Sequence, residues 1–122
     1  MFNRIFGEGR LVADPELKDV GSTVVASFTL VCNEYRRVND ESVKEPHFFD
    51  FKAWDTGAKT IAEKAKKGDR VFFEARARQE RWEDKTTGQK RSKVVFRLEN
   101  FTIVPKLQSD DKVQDAETTT TV

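Results

Sequence analysis

The sequence predicts an all-β domain with one short helix, and three observations carry that prediction. Apolar and polar residues alternate with period two in five separate segments. β-Branched and aromatic residues concentrate there, in a chain of 122 residues of which ten are phenylalanine. A single stretch, Thr56–Lys67, departs from the alternation, and it falls between the third and fourth strands.

The elements follow in order. The first strand is read over Phe2–Val12, with Gly7-Glu8-Gly9 inside it expected as a bulge that lets a barrel strand bend. The second, Thr23–Cys32, sets Val24, Ala26, Phe28, Leu30 and Cys32 against Val25, Ser27, Thr29 and Val31. The third, Phe48–Trp54, sets Phe49, Phe51 and Ala53 against Phe48, Asp50, Lys52 and Trp54. Thr56–Lys67 is rich in Ala, Lys and Glu, spaces Ile61 and Ala65 four apart, and meets Gly68 as an expected C-cap. The fourth strand, Val71–Trp82, puts Val71, Phe73, Ala75 and Ala77 on one side and Arg76, Arg78 and Trp82 on the other. Val94, Phe96 and Leu98 form the apolar row of a fifth. Five short strands with a helix between the third and fourth is the layout of a five-stranded Greek-key OB-fold barrel. Glu34–Pro46 and Glu83–Arg91 are then charged, mobile loops beside the strands.

The folded domain is read as residues 1–105 and the rest, 106–122, as a disordered, mildly acidic C-terminal tail. That tail has no aromatic residue, ends in four threonines and a valine, and cannot bury enough apolar area to offset chain entropy.

Composition removes several classes of function. No apolar run approaches the ~18 residues of a membrane span, and the mean hydropathy is −0.68. Met1–Phe6 lacks the apolar core of a secretory signal, so a soluble intracellular domain is expected. One cysteine cannot form an internal disulfide, and Cys32 with the single His47 matches no metal-ligand spacing. There is no G-x-S-x-G, H-E-x-x-H or phosphate-loop pattern. Cys32 falls on the Phe28/Leu30 side as a small buried hydrophobe, and His47 has no nucleophile partner at a familiar spacing. No catalysis and no cofactor are expected.

Charge points elsewhere. The net charge is +1, yet between Lys64 and Lys93 eleven Lys/Arg face five Asp/Glu. A basic segment in a near-neutral chain is the footprint of a polyanionic partner. Phe48, Trp54 and Trp82 lie on the non-core sides of their strands, interleaved with Lys52, Arg76 and Arg78. Bases of a single strand stack on such rings, worth about 1–3 kcal/mol each, while Lys and Arg track the phosphates. The same aromatics could instead fill a barrel end or a subunit interface.

The residues now become specific enough to carry a resemblance. Asn3-Arg4-Ile5, Gly9-Arg10-Leu11 and Asp14-Pro15-Glu16 open the chain, and Val25-Ala26-Ser27-Phe28-Thr29-Leu30 follows. Then come Trp54 through Ala62-Glu63 to Lys67-Gly68, and Arg76-Ala77-Arg78 with Arg81-Trp82 and Gly88-Gln89. In order and spacing, residues 3–104 resemble the bacterial-type single-stranded-DNA-binding proteins. The resemblance implies DNA stacking on Phe48, Trp54 and Trp82, with a fourth aromatic position falling on Arg36 beside Tyr35. Either Tyr35 takes that role or Arg36 stacks through its guanidinium plane. Arg78 matches a basic position of the family's binding face, and Lys52, Arg76, Arg4 and Arg10 are added on charge.

The family resemblance further implies a homo-oligomer, commonly a tetramer, acting in DNA replication, recombination and repair in the bacterial cytoplasm and nucleoid, or in a host cytoplasm for a phage-encoded member. Two departures stand out. Gly7-Glu8 replaces bulky aliphatics of the first strand. The acidic-hydrophobic tip by which members recruit replication and repair proteins is absent, only Asp110-Asp111 and Asp115-Ala116-Glu117 being acidic there. A short, divergent member fits. Two other readings stay open: an OB-type adaptor in a replication-restart or protein–protein assembly, and an RNA-binding OB domain.

Overall fold

The computed structural model describes residues 2–106. It contains β1 (Ile5–Leu11), β2 (Glu16–Val20), β3 (Thr23–Val38), β4 (Glu41–Trp54), α1 (Asp55–Lys64), β5 (Arg70–Glu83) and β6 (Lys90–Val104). The sheet order is β1-β5-β6-β4-β3-β2, and β1 also pairs with β3, at Arg10↔Val31 and Leu11↔Leu30. That pairing closes β1, β5, β6, β4 and β3 into the expected five-strand barrel. All neighbours are antiparallel except β4 and β6, which meet in parallel at Phe51↔Phe96 and Lys52↔Arg97. Except for Lys106, the tail expected over 106–122 lies outside the described residues.

The core is the inward row of the five barrel strands. Phe51 is its hub, stacked on Phe28 with centroids 5.4 Å apart, edge-on to Phe73 at 4.7 Å and tilted against Phe96 at 5.4 Å. Helix α1 plugs one end of the barrel with Ala58, Ile61 and the adjoining Ala65, all buried at three- and four-residue spacing.

Asp69 then ties three chain ends together. Its carboxylate accepts from the backbone N–H of Lys66 (2.9 Å) and of Lys106 (2.8 Å), while its carbonyl accepts from the N–H of Leu11 (3.0 Å). Helix exit, β1 exit and β6 exit all converge on this buried residue.

Several expectations are corrected. The helix ends at Lys64 rather than Lys67, because Ala65 is already extended (φ −96°, ψ 137°). Gly68 is not its C-cap but the positive-φ residue (91°) of the turn into β5, where its N–H donates to the Leu11 carbonyl at 2.9 Å. A sixth strand, β2, lies outside the five expected, because all five of its residues are exposed and no alternation marks it. Gly7-Glu8-Gly9 forms no bulge: Ile5–Arg10 pairs with β5 in unbroken register. The glycines serve close packing instead. A Cβ at Gly9 would lie 2.9 Å from the Leu30 Cβ, and one at Gly7 3.0 Å from the Phe73 ring.

The bulge lies at Glu74/Ala75, where β6 carries the extra residue Glu99. Apolar parity explains it. Phe96 and Leu98 are followed by Phe101 and Ile103, so an extra residue is needed to keep both pairs inward.

Glu34–Pro46 is likewise not a loop. Strands β3 and β4 stay in register from Val25↔Trp54 to Val38↔Glu41 and turn through Asn39 (φ 53°) and Asp40 (φ 66°). Positive φ at both central residues is the two-residue hairpin geometry that matches strand twist. This ribbon runs past the core with no buried side, so it lacks the alternation that betrays the other strands. Pro46 lies in β4 beyond its pairing with β6, where the strand is an edge.

Candidate nucleic-acid interface

Strand alternation sorts the expected residues onto faces. On β4 the outward row is Phe48, Asp50, Lys52 and Trp54, opposed on β3 by Val31, Thr29, Ser27 and Val25. On β5 it is Arg76, Arg78, Glu80 and Trp82, opposed on β6 by Arg97, Val95, Lys93 and Arg91. Because β6 lies between β4 and β5, these rows form one continuous outer surface of the barrel. The core is complete without them, so three large aromatics are left on the solvent side: Phe48 is 62% exposed, Trp82 45%, and Trp54 partly buried.

The face is held in shape by polar contacts across strands. Lys52 reaches over β6 to Glu80 at 2.7 Å. Lys93 lies 3.8 Å from the Asp50 carboxylate, whose other oxygen accepts from the Thr29 hydroxyl at 2.7 Å. The Arg97 guanidinium sits 5.8 Å from the Trp54 ring centroid, within cation–π range. Val95, on the row these contacts span, is 2% exposed. Beside it a groove of about 320 Å³ runs between Asp50, Lys52 and Lys93 and the Val12–Asp14 segment. A second hollow of about 410 Å³ lies along Trp82, Arg81 and Arg91 where the β5–β6 ribbon leaves the barrel.

The end of that ribbon is ordered by Asp84. Its carboxylate accepts from the N–H of Thr86 (2.8 Å) and of Thr87 (3.2 Å), and from Arg91 Nε (3.2 Å). The two backbone donors hold this carboxyl below the usual carboxylate range, with Arg91 adding to them. The connection is therefore Asp84–Gln89, a turn closed by the Asp84–Gln89 and Gly88–Asp84 backbone bonds, shorter than the loop expected over Glu83–Arg91.

Not every expected residue shares this face. Tyr35 and Arg36 point to opposite sides of the β3–β4 ribbon. Tyr35 is in the row of Val31 and Phe48, is 65% exposed, and borders a hollow with Arg10 and Arg70. Arg36 lies on the reverse side and pairs with Glu45 at 3.3 Å, next to the His47–Glu34 contact at 2.9 Å. Arg10, on β1, donates to the Gly68 carbonyl at 3.1 Å and flanks the Tyr35 hollow. Arg4 is bracketed by Glu74 (3.6 Å) and Glu99 (3.5 Å), and Arg76 meets the same Glu99 at 3.0 Å.

Sequence reading missed Arg91, Lys93 and Arg97. Their signal is the polar partner row of Val94, Phe96 and Leu98, which by itself looks like ordinary solvated surface. Cys32 packs against the core on the expected side but is only partly buried. Burial, with the nearby Glu8 carboxylate, pushes its thiol pKa up.

Comparison with known proteins fits this geometry. Residues 2–104 match the single-strand binding protein family. A single-stranded DNA-binding protein of Aquifex aeolicus (strain VF5) is 41% identical over 106 residues, 85% of this chain and 71% of that protein. Single-stranded DNA-binding protein 1 of Synechocystis sp. (strain ATCC 27184 / PCC 6803 / Kazusa) is 34% identical over 103 residues, 84% of this chain and 83% of that one. Among solved structures, the Plasmodium falciparum SSB complex with ssDNA has the same fold, with a TM-score of 0.72 at 22% identity over 85% of this chain and 94% of that chain. With a match from end to end of the barrel, this chain belongs to the single-strand binding protein family.

Proposed function

We propose that this chain binds and coats single-stranded DNA without strong sequence preference and without catalysing a reaction. The observation that carries this reading is the union of Phe48, Trp54 and Trp82 with six basic side chains on one outer face that the core does not need. Bases stack on the rings, and Lys52, Arg76, Arg78, Arg91, Lys93 and Arg97 meet the phosphates. Phe48 and Trp54 are six residues apart on one strand, about 20 Å at strand rise, so successive rings take up different nucleotides. Tyr35 extends the aromatic row along the β3–β4 ribbon and takes the fourth stacking position. Arg36 faces away. Arg10 borders the same path, while Arg4 serves the Glu74/Glu99 cluster.

Self-association follows from the family and from a second patch. Phe2 is 85% and Phe6 68% exposed, and Phe6 borders a hollow of about 530 Å³ with Phe72 and Phe101. Patches of this kind mark association surfaces. Sedimentation should find an oligomer that Phe6→Asp shifts to smaller species. A role in replication, recombination and repair in the cytoplasm follows the same family logic.

Intrinsic tryptophan fluorescence tests the main reading. A thymidine oligomer should quench it, a duplex should not, and part of the quenching should survive moderate salt because stacking is not ionic. Equal quenching by a matched ribo-oligomer would extend the ligand to RNA. Absence of quenching would turn the aromatic face into a protein interface.

A further inference from the structure

We infer that Glu80 and Asp50 are resident counter-ions that compete with phosphate for Lys52 and Lys93, so that strand binding proceeds by exchange of carboxylate for phosphate. The inference rests on the single-strand reading of this face. Carboxylates there are otherwise a puzzle, because they repel the ligand that the cations attract.

Their placement is specific. Glu80 spans β6 to reach Lys52 at 2.7 Å, and Asp50, anchored by the Thr29 hydroxyl at 2.7 Å, stays 3.8 Å from Lys93. Neither pair is needed to satisfy a buried charge. The Lys52–Glu80 side chains are about one-third exposed and those of Lys93–Asp50 about half. Pairs so exposed contribute little to folding. By contrast, Arg78 and Arg97 have no carboxylate within salt-bridge range among the described residues.

Counter-ion bookkeeping separates the two kinds of cation. A phosphate that meets Arg78 releases its condensed cation to solvent. A phosphate that meets Lys52 also releases one, but displaces Glu80, which takes a cation up. The two nearly cancel. Affinity is therefore held down at low salt, and what remains of it depends less on salt than the number of basic contacts implies. Such a face holds a strand yet gives it up readily to a competitor.

The test is a salt series of fluorescence titrations with a thymidine oligomer, on the full chain and on Glu80→Gln and Asp50→Asn. Each variant should bind about three- to tenfold tighter at low salt, as expected for removing one like charge within several ångströms of a phosphate. Each should also steepen the slope of log K against log salt by up to about 0.7, with the gain fading at high salt. In a Lys52→Gln background the Glu80→Gln gain should shrink to what plain charge repulsion leaves, because no lysine remains for Glu80 to hold. Unchanged or weakened binding with an unchanged slope would overturn the inference. If Glu80→Gln does not fold, Asp50→Asn, on another strand, decides the matter alone. A wild-type chain that shows no quenching sinks the single-strand reading itself, whereas wild-type binding matched by both variants sinks only the exchange.

Discussion

At one end of the barrel, α1 and Asp69 close the structure with groups almost fully withdrawn from solvent; at the other, two ribbons run past the core with charged side chains on both sides. Substitutions at the closed end should act on folding, because each side chain there has packing or backbone partners. Substitutions along the ribbons and the outer rows should act on ligand, because their contacts are exposed and easily exchanged. The protein thus separates what keeps it folded from what it presents.

The sharpest way to break that separation is Phe51→Ala. Losing the ring on which Phe28, Phe73 and Phe96 converge should cost about 3–5 kcal/mol in urea unfolding. Binding by whatever fraction stays folded should be unaltered. A loss of affinity in the folded fraction would show that the core and the face are coupled.

Next in size, Trp54→Ala and Trp82→Ala should each weaken single-strand binding by about 1–3 kcal/mol with little change in the unfolding midpoint. Asp69→Ala should do the reverse. It strips acceptors from the Lys66 and Lys106 N–H groups and should lower stability by about 1–3 kcal/mol while leaving titrations unchanged.

Tyr35 and Arg36 repeat the comparison within one ribbon. Tyr35→Ala should cost about 1 kcal/mol of binding, whereas Arg36→Ala, which breaks only an exposed pair, should cost under about 0.5. Equal losses would place the strand on both sides of the hairpin.

The smallest effect is acid-dependent and local. The Asp84 carboxyl is held below its unfolded value, so its support of the turn is complete above the ordinary carboxylate range and fades as pH falls through the lowered value. Hydrogen exchange at the Thr86 and Thr87 amides should therefore speed up selectively in acid, after correction for intrinsic rates.

The same division governs what could be read from the residues. Where a strand has one side in the core, alternation located it and assigned its faces, as at Val24–Cys32 and Val71–Ala77. Where a strand leaves the core, alternation stops, so Glu34–Pro46 looked like a loop and β2 went unread. The three aromatics of the face were legible because large rings on a polar row are conspicuous. Arg91, Lys93 and Arg97 were not, since basic residues on an outer row look like ordinary solvated surface until β6 is known to run between β4 and β5. That Tyr35 rather than Arg36 shares a row with Phe48 needed the hairpin register, which no local pattern encodes.

The route by which β1 enters the barrel has a consequence in time. Six of its residues pair with β5, sixty to seventy positions later, and its one other pairing among the described residues is the two-residue seam with β3. A nascent chain must therefore leave Ile5–Gly9 unpaired until β5 has left the ribosome. Meanwhile β3 and β4 can zip at once through Asn39-Asp40, needing only local contacts. Ribbon first and closure last is the expected order of assembly, and slow folding is expected of a topology so reliant on distant pairings. In pulse-labelled refolding, amides of β3 and β4 should gain protection before those of Ile5–Arg10, with the first strand acting as the latch.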